Sequence, residues 1–187
     1  MTINVMHILK SIAALFMVAI LFSCKNNAKE VQDFLADQNL PIGITEKVHL
    51  VHTDSARVTM KMYSLLMHDF SNRKAHPYFE FPKGIKITTL EKNGDSVTIS
   101  GEYALRYIKT KVSEIKDHVV IRNYAQKLKL ETSQLYWDEN TNYFFTDEEF
   151  TFYIKLDTFK GVGFESKDDL SEWRVKRLRG NATIEKE

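Results

Sequence analysis

Apolar residues sit two apart in short runs through the second half of the chain. Val119 and Ile121, Leu128 and Leu130, Leu135 and Trp137, and Phe150, Phe152 and Ile154 mark these runs. The intervening positions are mostly polar: Lys127 and Lys129, Thr151 and Tyr153. A period of two predicts strands with one face hidden and the other in water. Turn-forming clusters at Arg122-Asn123, Asp138 to Asn142 and Lys160-Gly161 separate the runs, and no helix of useful length fits between them.

The same pattern extends towards the amino terminus. VHLVHTD and RVTMKMY read as strands around Asp54-Ser55, followed by SLLMHDF and by PYFEFPKG, the last bounded by Pro77 and Pro82 as near an edge or turn. GIKITTLEK and DSVTISGEY flank Asn93-Gly94, a hairpin signal that sets Ile85 and Ile87 on one face with Val97 and Ile99. Residues 103–116 fit either a strand or a short helix. Tyr107, Ile108, Thr110 and Val112 favour strand. The prediction is an all-β domain of antiparallel strands.

The first 23 residues stand apart. His7 and Lys10 precede an uncharged run, residues 11–23, too short for a bilayer span of about 20 residues. It ends in Leu21-Phe22-Ser23-Cys24, the form of a lipoprotein cleavage site, with Phe22 bulkier than usual. Either Met1 or Met6 serves as the start. Cys24 is the only cysteine, which excludes an internal disulfide and fits a lipidated residue. The expected division is a signal peptide at 1–23, a lipidated tether at 24–47 with a two-turn helix over EVQDFLAD, and the β domain at 48–187.

Composition sharpens the picture at two points. The chain has 12 Phe and 8 Tyr against 7 Gly and 3 Pro, which suits strands and apolar binding surfaces. The formal charge is +1, and without Lys10 the mature chain carries equal numbers of basic and acidic side chains, so nothing points to nucleic acid. The six histidines form no metal motif; His49 and His52 fall on opposite faces of a strand. No nucleophile elbow or phosphate-binding loop occurs, and Gly161 and Gly163 in a strand mark a bulge or a close backbone approach. The acids at 147–149 and 168–169 read as solvated turns. No catalytic residue, cofactor or metal site is expected.

HVVIRN, KLKLET with LYWDE, and KGVGFES followed by DLSEW and LRGNATI resemble the LptC family, across residues 48–184. That resemblance implies an OstA-like open β-jellyroll of two packed antiparallel sheets, behind an N-terminal lipoprotein signal. It implies lipopolysaccharide export. The cargo would pass from an inner-membrane ABC transporter of the LptF/LptG type to an LptA-like periplasmic β-jellyroll. By the same analogy, edge strands carrying Val48 and Leu50, and Asn181 and Thr183, would meet those two partners. A lipid anchor on the periplasmic side of the inner membrane (or on the outer membrane) would replace the transmembrane helix of better-known members. Alternation selects Val119, Ile121, Leu128, Leu130, Phe150, Phe152, Ile154 and Phe164 as groove-lining residues, with a closed core as the competing account. A lipid-anchored scaffold and a calycin-type binder of small apolar ligands remain the alternatives.

Overall fold

A strand that hides one face needs a second layer to hide it against, and here a single sheet supplies both layers. The computed structural model describes residues 28–90, 95–155 and 157–179. The chain divides into two units, residues 1–34 and 35–187. Of the first, the described part is the start of helix α1 (Ala28–Asp37), where Val31 and Phe34 are exposed. The helix stops at Asn39, whose positive φ of 57° and the Leu40 N–H to Leu35 C=O bond of 2.8 Å form a left-handed cap. Pro41 then forbids continuation.

Eleven strands follow: β1 (Gly43–Asp54), β2 (Arg57–Phe70), β3 (Tyr78–Phe81), β4 (Ile85–Leu90), β5 (Ser96–Gly101), β6 (Tyr103–Tyr107), β7 (Val112–Asn123), β8 (Leu128–Asp138), β9 (Tyr143–Ile154), β10 (Asp157–Lys167) and β11 (Trp173–Arg179). All pairings are antiparallel. β2 pairs with both β3 and β4, and β7 with both β5 and β6. β3 and β4 are thus one lane interrupted at Pro82-Lys83-Gly84, and β5 and β6 one lane interrupted at Glu102. The remaining strands are long and continuous, so the expected runs RVTMKMY and SLLMHDF are a single strand. Residues 103–116 contain β6, a turn and the start of β7 rather than one long strand, because Lys111 takes φ 55° and reverses the chain.

One line of irregularity crosses every long lane. Lys47 takes φ 52° where β1 passes Leu65 of β2, without a change of register. Asp117 and His118 (φ 60° and 50°) together face Ser133, because Lys116 is opposite Gln134 and Val119 opposite Thr132. The register of β8 with β9 and of β9 with β10 shifts at the same level, and Gly163 (φ 75°) carries the line through β10. Bulges bend strands, so the sheet folds over along this line. Buried hydroxyls occupy the crease: Ser64 Oγ donates to Gly84 O at 2.7 Å and Thr132 Oγ1 to Glu149 O at 2.9 Å, meeting carbonyls that the interrupted ladder frees.

The fold-over makes two layers. An upper layer holds residues 43–46, 66–70, 78–81, 103–107, 112–116, 134–138, 143–146, 164–167 and 173–175; a lower layer holds the opposite ends of the same lanes. Residues directly opposite in register share a face, and the inner rows run Phe81, Ala104, Ile115, Leu135 above and Met62, Ile87, Ile99, Ile121, Leu130, Phe152 below. All ten belong to one buried cluster. The architecture is the expected all-β jellyroll, with one creased sheet in place of two separate ones. The hairpin residues Asn93-Gly94 lie outside the described residues. Their flanking strands pair as expected, Ile87 opposite Ile99.

Candidate functional site

The inner face is apolar across the whole sheet, but its accessibility changes from one end to the other. At the β1–β2 end, Leu50 sits opposite buried Met62 and is 43% exposed, and Val58 is 38% exposed. Val48, Met60, Met67 and Phe79 are partly buried against the core. The cleft between the layers is therefore open there. From β7 to β10 it is filled, and at the β11 edge Trp173 and Leu178 are exposed again.

Every groove-lining candidate points into the interior of that filled part. Val119, Ile121, Leu128, Leu130, Phe150, Phe152 and Phe164 are buried, and Ile154 packs against them from its half-exposed position. Phe164 stands at the crease, with ring centroids 5.2 Å from Phe150 and 4.9 Å from Phe152. Trp173 of the upper layer reaches Phe152 at 5.3 Å and Phe159 at 6.1 Å, both in the lower layer. Alternation located the inner face and had no means of locating the opening, because accessibility depends on how many lanes lie beyond each residue. The accessible residues, Leu50, Val58 and Met60, sit in a strand pattern like the rest; what distinguishes them is nearness to the sheet edge.

The upper inner wall carries one polar group near its rim. Arg106 donates Nε and Nη2 to the two carboxylate oxygens of Glu139, both at 2.7 Å, and Ser113 Oγ donates to Glu139 Oε1 at 3.3 Å. The guanidinium's affinity for its proton is raised by that bidentate bond, against the opposing effect of burial. Beside them Trp137, opposite Ser113, is buried with its Nε1–H lacking a hydrogen-bond acceptor.

The outer wall is polar. Glu114 accepts from Tyr136 Oη at 3.1 Å and from the Gln134 amide, and pairs with Lys116 Nζ at 2.8 Å. Burial pushes its carboxyl up, but these three partners outweigh it and hold it below the usual carboxylate range. Tyr103 is pushed well above an ordinary phenol, first by burial and then by its 2.8 Å bond to Glu80. A concavity of about 960 Å³ at the crease, lined by Asp117, His118, Glu131, Lys160 and Arg179 and by the groove candidates Val119 and Phe150, mixes both signs of charge with apolar side chains. Among the described residues no three His, Cys, Asp or Glu side chains stand together as metal ligands.

Both outermost lanes have a free edge. Among the described residues β1 pairs only with β2 and β11 only with β10. Val48 and Leu50 lie on the first edge. Asn181, Thr183 and Cys24 lie outside the described residues. β11 is strongly basic, with Arg174, Lys176, Arg177 and Arg179 in seven residues. Lys176 pairs with Asp147 at 2.6 Å and Arg179 pairs with Glu149, exposed contacts that add little stability.

No curated protein matches the chain significantly. Residues 12–180 match the family model of LptC-related lipopolysaccharide-assembly proteins, a span that takes in helix α1 and all eleven strands. With its creased jellyroll and apolar interior, the chain belongs to the LptC-related family of lipopolysaccharide assembly.

Proposed function

We propose that this protein carries lipopolysaccharide, its acyl chains held between the two layers and its headgroup left in water at the mouth. The observation that carries the reading is the inner face: its lower row is apolar from Met62 of β2 to Phe152 of β9, and it is reachable from solvent at the β1–β2 end. Each methylene moved out of water favours binding by about 0.8 kcal/mol. Such contacts are non-directional, so a chain slides without paying for broken hydrogen bonds. Energy for export then comes from the transporter's ATPase, and this chain needs no catalytic group.

The free edges fit the same reading. An unpaired edge invites another strand, and a neighbouring jellyroll that adds its own strand extends the creased sheet without a break. In this scheme β1 meets the periplasmic jellyrolls of the inner-membrane ABC transporter, and the basic β11 with the residues after it meets an LptA-like jellyroll. Cys24, acylated, tethers the domain to the periplasmic face of the inner membrane through residues 24–42, since several acyl chains on one residue anchor a protein stably.

A photo-crosslinking residue at Leu50, in cells exporting lipopolysaccharide, tests the reading against its outward neighbour Val51, which is also well exposed. Adducts with lipopolysaccharide form at Leu50 and not at Val51, and vanish when the transporter's ATPase is disabled. Equal labelling at both positions, or none, overturns it. One observation favours a second reading, a lipid-anchored scaffold: the interior from β7 to β10 is packed shut. A scaffold leaves Leu50 unlabelled.

A further inference from the structure

The packed half of the cleft is closed by one short segment. Residues 167–172 join β10 to β11 and are rooted in the upper layer. Asp168 N–H donates to Asn142 O at 3.0 Å, and Lys167 N–H to Glu172 O at 3.0 Å. From that root the segment crosses to the lower layer. The Asn123 side-chain amide, at the end of β7, donates to Asp169 O at 2.7 Å. The other end of the same amide accepts Gln126 N–H at 3.0 Å, which fixes its orientation. Asn123 itself is buried.

Two apolar side chains fill the space beneath. Leu170 is 0% exposed and belongs to the core cluster, yet its backbone sits in the left-handed region at φ 62°. A leucine there carries a steric penalty that glycine or asparagine avoids. What it supplies in return is its side chain, plugged into the interior. Trp173, next to the segment, bridges the layers through Phe152 and Phe159.

We infer that residues 168–172 form a strap that holds the β7–β10 part of the cleft shut and swings out to admit an acyl chain, with Asn123 as its catch and Leu170 as its plug. The inference rests on the lipid-carrying reading above. The strap has the build of something that moves. The Asn123 amide ties it to the lower layer, its bonds to Asn142 and across to Glu172 stay in the upper layer as a hinge, and its plug is held in a strained backbone. Loops that join strands open locally at a free energy below that of global unfolding. Opening bares Phe152 and Leu128 and joins the filled half of the interior to the accessible half at β1–β2.

The test locks the strap in the full lipidated chain with Asn123→Cys and Asp169→Cys, and reads lipopolysaccharide adducts from a photo-crosslinking residue at Met62 or at Phe152. With the bridge oxidised, labelling at Phe152 falls at least tenfold while labelling at Met62 persists, and reduction restores labelling at Phe152. Equal labelling at Phe152 in the oxidised and reduced chains overturns the strap. Absence of labelling at Met62 in every state overturns the lipid-carrying reading, and the strap with it. Should the double variant fail to fold or bridge, Leu170→Gly decides, because it keeps the backbone conformation and removes the plug. Binding of the apolar dye N-phenyl-1-naphthylamine to the purified full chain, and labelling at Phe152, then rise severalfold; unchanged values for both overturn the proposal.

Discussion

Gly161→Ala is the smallest change that tests how β11 is held. Gly161 lies on the inner face of β10, opposite Phe150 of β9 and Leu178 of β11. A Cβ there would stand 2.3 Å from the Arg177 carbonyl oxygen and 2.8 Å from Cε1 of Phe150. Ordinary contact begins near 3.4 Å, so the backbone of β11 must retreat by about an ångström. The phenyl ring can turn; the carbonyl belongs to the ladder and cannot. Overpacking of this kind costs about 1–3 kcal/mol, which for a chain of this size is roughly 2–12 °C in melting temperature. Thermal unfolding followed by circular dichroism measures the loss, and hydrogen exchange locates it in β11. Gly163→Ala is the control. Its penalty is first conformational, about 1–2 kcal/mol for the left-handed backbone at φ 75°, and its steric neighbours are Cβ, Cγ and Cδ of Lys176 rather than a ladder carbonyl. It lowers stability without freeing β11. An unshifted melt for Gly161→Ala, with β11 amides as protected as before, refutes the reasoning.

Three further outcomes follow from the same geometry. Trp137→Phe costs less than about 1 kcal/mol in urea unfolding, against 3–5 kcal/mol for the usual truncation of a buried aromatic, because it also removes a buried N–H without an acceptor. Acid weakens the fold through Glu114 and Glu131. Glu114 is depressed by its three partners against burial, and Glu131 chiefly by Lys129. Carboxyls depressed in the folded state stabilise it above their unfolded value, about 4.3, and lose that contribution as pH falls through the folded one. The denaturation midpoint therefore declines below about pH 4, and Glu114→Gln flattens the decline. Cys24→Ser moves the chain from the membrane to the soluble fraction, as immunoblotting of fractionated cells would register; retention in the membrane would sink the lipid-anchor assignment.

Much of the fold is legible in the chain because burial on one face of a strand writes itself as alternation. Val119 and Ile121, Leu128 and Leu130, and Phe150 and Phe152 each stand two apart, and all six are buried. Pro77 and Pro82 bound β3, where a missing N–H does least damage. Gly163 sits at a register shift, as a strand glycine should. The merging of RVTMKMY with SLLMHDF was less visible, since the crease at Ser64 and Leu65 breaks alternation in the same way as a turn does.

What the sequence by itself determined is the class of fold, the identity of the inner face and the lack of any familiar catalytic motif, all of which depend on residue type and short spacing. The tertiary structure alone decided that one sheet folds along a line of irregularities, that the cleft is open at β1–β2 and filled between β7 and β10, and that Leu170 and Asn123 come to one end of it. Leu170 and Asn123 stand 47 positions apart in the chain and share no periodic pattern. They meet because the crease brings the two ends of every strand to the same mouth, and only a folded sheet has a mouth.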